Sequence, residues 1–174
     1  MSTPPPSRVL IALGANIAPR ANLPEAIARL AACPDVRLLA VSRVWRTHAV
    51  GGPGPDFLNA AVALETRLDP DALRERVLRP LEAALGRVRT NDRNAPRPID
   101  LDIAAHGALD DPARGIPDPS IADTPHLALP LADVAPDWRE PRSGLRLDEL
   151  AARFELAPGV QLDALRLPGP GARR

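Results

Sequence analysis

Lysine and tyrosine are missing altogether from this chain of 174 residues, which holds one cysteine, two phenylalanines and two tryptophans. Each shortage closes off a class of function. Without lysine there is no Schiff base and no Walker A motif, whose lysine reaches the phosphates. A phosphate site here has to use arginine, backbone amides and metal. The lone Cys33 excludes an internal disulfide and any multi-cysteine zinc site, and its place after Leu23, Ile27 and Leu30 points to helix packing. No apolar run approaches the ~20 residues that cross a bilayer, so no membrane partner is expected. RNA binding on an open sheet needs exposed aromatics on its central strands, and these are too scarce. The formal net charge is zero, and the skew toward arginine, proline and alanine is read as base composition, with no nucleic-acid partner. The amino end, MSTPPPS, lacks the basic and apolar regions of a signal peptide. A cytoplasmic protein with one domain over 8–160 is expected, flanked by disordered tails at 1–7 and 167–174.

Against this background one stretch stands out, GRVRTNDRNAPRPIDLDI from Gly86 to Ile103. Arg87, Arg89, Arg93 and Arg97 face a single acid, Asp92, and so give a local excess of positive charge suited to a nucleoside triphosphate. Asp100 and Asp102 follow, alternating with Ile99, Leu101 and Ile103. On a strand both carboxylates leave one face about 6.6 Å apart. So close a pair repels unless a cation sits between them, and carboxylate oxygens are what Mg²⁺ takes. Taken alone, the same alternation equally describes the wet face of a half-buried strand.

The layout around that stretch is mixed α and β. A strand is expected at Val9 to Leu13, then a helix from Pro24 to Ala32 entered at Asn22 or Leu23. A second strand runs over Val36 to Arg46 and returns as Asn59 to Glu65. Between them Thr47 to Phe57, with three glycines and two prolines, is a candidate lid. Asp69 caps the next helix, with Pro70 at its first position, Leu73, Val77, Leu81 and Leu85 at helical spacing, and Gly86 as a stop. Pro80 interrupts that helix and should kink it near Glu82, which would point to the nucleotide loop. After IDLDI come a loop, an apolar stretch from Leu127 to Val134 and a small helix near Leu147 to Phe154. This order is that of a ferredoxin-like α+β fold, an α/β/α sandwich on a mainly antiparallel sheet.

Three segments in the right order resemble the 6-hydroxymethyl-7,8-dihydropterin pyrophosphokinase family. IALGANI, from Ile11 to Ile17, is similar to the family's first strand and the turn leaving it. SRVWRTHAVGGPGPDFLNAAVALET, from Ser42 to Thr66, resembles the pterin-pocket segment with its threonine, glycine loop and aromatic-Leu-Asn triplet. Arg93, Pro96, Arg97, Asp100, Leu101 and Asp102 fit the signature of Arg, two residues, Pro-Arg, two residues, Asp-Leu-Asp. The resemblance implies transfer of a diphosphate from ATP to a pterin alcohol in folate synthesis, with AMP leaving. It also implies two Mg²⁺ ions on Asp100 and Asp102, and a monomer. Arg87 and Arg97 fall on arginines that contact the transferring phosphates. Arg89 and Arg93 fall on arginines of the nucleotide or mobile loop, with Glu82 beside them. Thr47, Val50, Phe57 and Asn59 fall on positions that hold the pterin by stacking and hydrogen bonds.

The chain also departs from the family pattern. Asp118 and Pro119 stand where a His-Tyr pair is usual, and Thr124 and His126 where an arginine and a phenylalanine are usual. Asn94 stands at a frequent tryptophan and is placed with the substrate-binding residues. His126 would take the phenylalanine's place as a pterin wall, or else sit at a surface or helix end. A working kinase, a kinase for a modified pterin and a non-catalytic binder of pterin or nucleotide all fit these changes.

Overall fold

Alternation in the first strand sets the two faces of the sheet. In the structure, a computed structural model describing residues 5–48, 54–92 and 95–171, β1 (Ser7–Ala15) turns Val9, Ile11 and Leu13 to one side and Leu10 and Ala12 to the other. The first side packs on α1 (Pro19–Ala32) and on the helical run α2 (Pro70–Leu73), a π segment (Arg74–Leu78) and α3 (Arg79–Ala84). The second side packs on α4 (Pro125–Val134) and α5 (Leu147–Ala151). Helices therefore cover both faces.

The other strands are β2 (Val36–Val41), β3 (Val44–Thr47), β4 (Phe57–Thr66), β5 (Asp100–His106) and β6 (Val160–Asp163). The order is β5-β1-β4-β3-β6, with β2 also on β4, and every pairing is antiparallel. This is the expected α+β sandwich. β2 and β3 replace the single strand expected over Val36 to Arg46. The break is at Ser42, whose Oγ accepts from the Ala61 amide at 2.8 Å and donates to the Arg43 carbonyl at 2.6 Å. A side chain has taken over a ladder bond, so the strand bends there without leaving β4.

Two helices differ from expectation at their ends or middle. α1 starts at Pro19, not Pro24, because Ala18 adopts a left-handed conformation (φ 41°) that turns the chain and Pro19 is pre-set for a first helical position. Pro24 then lies inside the helix. Ahead of Pro80, where the sequence suggests a kink, the run contains the π segment, in which the Arg79 amide reaches the Arg74 carbonyl five residues back. The wider turn makes room for a proline ring that would press on the preceding turn of a regular helix. β6 has no counterpart among the expected elements. Ser7 already belongs to β1, and Leu165 and Leu167 pack against the core.

Candidate active site

Register brings the site together. β5 lies along β1 with Asp100 opposite Gly14 and Asp102 opposite Ala12, and β4 lies along the other edge with Asn59 opposite Gly14. Opposite residues share a face. One cross-sheet row therefore runs Asp100, Gly14, Asn59, Trp45. Strand spacing puts the Asp100 and Asn59 backbones about 10 Å apart, room for a flat two-ring ligand between their side chains. Gly14 keeps that floor low, since a Cβ there would stand 3.4 Å from the Asn59 Oδ1 and 3.7 Å from the Phe57 ring.

Above this floor is a cavity of about 300 Å³ whose lining includes Thr47, Phe57, Asn59, Arg97, Asp100 and Asp102. Its far wall is Asp118, Ser120, His126 and Leu127, from the loop after β5 and the start of α4. Asn59, 4% exposed, donates from Nδ2 to the Thr47 Oγ1 at 2.9 Å. Its carbonyl oxygen is thereby aimed at the cavity beside Gly14.

A second cavity, of about 470 Å³, is lined by Arg87, Arg89, Thr90, Asp92 and Pro96, together with Arg97, Asp100 and Asp102. The last three are common to both cavities. Gly86, at φ +85°, ends α3 and turns the chain so that the Arg87 amide bonds back to the Glu82 carbonyl at 3.0 Å. The Arg87 Nη1 then donates to the Glu82 Oε1 at 2.8 Å, to the Ile99 carbonyl at 3.1 Å and to the Asp100 Oδ1. Arg97 donates to the other Asp100 oxygen at 2.6 Å. Glu82, 2% exposed, also accepts from Arg89 at 2.7 Å and from the Leu101 amide at 2.9 Å. It stands in for a missing neighbour strand on the open edge of β5 and at the same time sorts the arginines.

Electrostatics separate the two aspartates. Burial alone would raise the Asp100 pKa, but the bonds and charges of Arg87 and Arg97 outweigh it and hold that carboxyl below the usual range. Asp102 has no such clamp. Burial, then the charges of Asp100, Glu82 and Asp118, push it up to about 6 against the pull of Arg87. Burial also raises the Glu82 carboxyl and lowers the His126 imidazole, which Asp118 opposes. Among the described residues no three acidic, histidine or cysteine side chains cluster as a metal site. A pair of carboxylates suits Mg²⁺, which takes one or two of them and fills its other positions with phosphate oxygens and water.

Comparison with known proteins gives this geometry a family. Residues 10–136 match the family model described as 7,8-dihydro-6-hydroxymethylpterin-pyrophosphokinase. The chain is 35% identical to the 2-amino-4-hydroxy-6-hydroxymethyldihydropteridine pyrophosphokinase of Synechocystis, over 94% of this chain and 89% of that one. It is 38% identical to the Pseudomonas aeruginosa protein of the same name, over 93% and 98%. The chain belongs to the pyrophosphokinase family. Among solved structures, the Plasmodium falciparum HPPK-DHPS wild type with pteroate superposes with a TM-score of 0.61 at 12% identity, over 88% of this chain. This chain spans 43% of that one, and at such identity the likeness bears on the fold alone.

As a member of that family the chain places its expected site residues as follows. Arg87, Arg89, Arg97, Asp100 and Asp102 meet at the second cavity. Thr47, Phe57, Asn59 and His126 meet at the first. Glu82 spends its carboxylate on Arg87, Arg89 and Leu101, so its place is behind the arginines. Val50, Arg93 and Asn94 lie outside the described residues. Asn16 was not foreseen. Its Oδ1 accepts from the Arg97 amide at 2.7 Å, and its own amide donates to the Arg97 carbonyl at 3.1 Å. His48 also lines the first cavity, held by Asp56 at 2.8 Å. The turn after IALGA was visible in the sequence, but what its asparagine would hold was not.

Proposed function

We propose that this chain transfers a diphosphate from ATP to the hydroxymethyl group of 6-hydroxymethyl-7,8-dihydropterin and releases AMP, a step of folate synthesis. The observation that carries the reading is the shared edge of the two cavities. A pterin on the Asn59 floor and a triphosphate among the arginines would meet at Arg97, Asp100 and Asp102. The relatives are named for this reaction.

In-line attack of the hydroxymethyl oxygen on the β-phosphorus needs alignment and charge neutralisation more than covalent help. The row from Asn59 to Asp100 supplies alignment. Asn59 presents its carbonyl to the amine or amide edge of the ring, which turns the opposite end of the ligand toward β5. Phe57 offers a flat wall. Arg87 and Arg97 supply positive charge on the phosphate side, each already fixed by a second contact. Asp100 and Asp102 would hold two Mg²⁺ ions, which when bound neutralise the phosphate oxygens. For that, the two guanidiniums now on Asp100 exchange its oxygens for those of the phosphates.

The same reading makes the expected unit of 8–160, widened to take in Ser7, β6 and Leu165 and Leu167, one folding unit and the protein a monomer. Five large apolar side chains are exposed among the described residues, Ile17, Val88, Leu109, Leu156 and Leu162. On this reading the protein works in the cytoplasm, with ATP and a reduced pterin as its small-molecule partners. No helix among the described residues is long and apolar enough to cross a membrane.

The test is product analysis after incubating the protein with ATP, Mg²⁺ and 6-hydroxymethyl-7,8-dihydropterin. AMP forming in step with pterin diphosphate is the expected result. ADP in place of AMP, or no nucleotide turnover by folded protein, would reject the assignment.

A further inference from the structure

The far wall of the first cavity carries a carboxylate that the reaction described above does not use. Asp118 is set by its backbone. Its amide donates to the Ala104 carbonyl at 2.8 Å, and its own carbonyl accepts from Ile121 at 3.3 Å. Its Oδ1 accepts from the Ser120 amide at 2.8 Å. Among the described residues no arginine pairs with it, although arginines neutralise Asp100 and Glu82 nearby. Asp118 lines the first cavity together with Asp100, Asp102 and His126. It joins no metal cluster among the described residues. With Oδ1 on the Ser120 amide, Oδ2 is the oxygen that can meet an organic ligand in the cavity.

A carboxylate only accepts, so whatever meets Asp118 has to bring an N–H or O–H. With the amine and lactam edge at Asn59 and the hydroxymethyl group at Asp100 and Asp102, the part of a pterin left for the far wall is the flank of its second ring. That flank differs between oxidation states. In the 7,8-dihydro ring N8 carries a hydrogen and donates. In the fully oxidised ring N8 is a bare lone pair, and a carboxylate facing it is repelled. We propose that Asp118 is the specificity-determining residue by which this site selects a reduced pterin over an oxidised one. The inference rests on the pterin reading of the first cavity. His126, whose imidazole is pushed below its usual range by burial, and Leu127 complete the wall.

The experiment is calorimetric titration of the full chain with 6-hydroxymethyl-7,8-dihydropterin and, separately, with 6-hydroxymethylpterin. Wild-type protein, Asp118→Asn and Asp118→Ala are compared. The asparagine keeps an acceptor for the Ser120 amide, so the loop stays folded, and its amide nitrogen is a donor for the bare N8. Wild type should prefer the reduced ring by about tenfold or more, the usual scale for one mismatched buried hydrogen bond. Asp118→Asn should bring the two affinities within about twofold of each other, and Asp118→Ala should weaken the reduced ring selectively. A purely structural Asp118 would weaken both rings alike and leave the ratio unmoved. That outcome overturns the inference and leaves the pyrophosphokinase reading standing. Failure of wild-type protein to bind either ring overturns both.

Discussion

Asp100 and Asp102 sit two residues apart on one strand face, yet their surroundings drive them in opposite directions. Asp100 is kept ionised by two guanidiniums, while Asp102 reaches about 6 under burial and three neighbouring negative charges. The sign of the linkage follows. For Asp102 the folded state disfavours the charged form, so its cost to stability is absent below the unfolded value of about 3.9, grows as pH rises to about 6 and is constant above. Asp102→Asn should therefore raise the melting temperature of the metal-free protein above pH 6 and have no such effect below pH 4. The side chain opens onto a cleft, so solvent screening limits the gain to about 1 kcal/mol or less. A loss of stability at pH 7 would contradict this electrostatic picture. Arg97 lies on both cavities and is clasped through its backbone by Asn16. In the role proposed for Arg97, removing so preorganised a donor costs about 2 to 4 kcal/mol of transition-state stabilisation. Arg97→Ala should thus lower kcat/KM by roughly 30- to 900-fold in steady-state assays. A change under threefold would remove Arg97 from the transition state.

Helix α3 and strand β5 are joined through one side chain. Glu82 accepts from two arginines and from the Leu101 amide while almost wholly buried. Glu82→Ala leaves Arg87 without one of its anchors and the Leu101 amide without a partner. Breaking such a buried pair costs about 3 to 5 kcal/mol, to be read from urea unfolding. Glu82→Gln, which can still accept from Leu101, should lose less. Equal losses in the two variants would show that the Leu101 bond contributes little.

The elements themselves were unevenly readable. Asp69 as cap, Pro70 at the first turn and Gly86 as stop are local devices, and each acts where the sequence puts it, Asp69 accepting from the Ala72 amide at 2.8 Å. Alternation in β1 and β5 is likewise local. The start of α1 depended on Ala18, a residue with no intrinsic taste for positive φ. The division of β2 from β3 depended on a serine bonding across the sheet. β6 is four residues long, too short for its own period to show, and is held through Asp163 by Arg20 and Arg46 at 2.9 and 2.8 Å. Those partners are distant in the chain.

The molecule as a whole is a sheet with the cavity proposed for the pterin on one side of a carboxylate pair and a cluster of arginines on the other. The aspartate pair and the arginines were visible from residue types and order, because they came in one short run, whereas Thr47, Phe57, Asn59 and His126 were named only through the family resemblance. The meeting point of the two groups was not visible, because it depends on the β1–β5 register that sets Asp100 opposite Gly14 and on the Asn16 clasp. The most direct measurement is a single-turnover reaction of ATP labelled at the β-phosphorus with 6-hydroxymethyl-7,8-dihydropterin and Mg²⁺, run on wild-type protein and on Asp100→Ala. Wild-type protein should move the label to the pterin as AMP appears, and the variant should bind the pterin and move none. Label transfer by the variant at the wild-type rate would contradict the assignment of Asp100 as the junction between the two substrates.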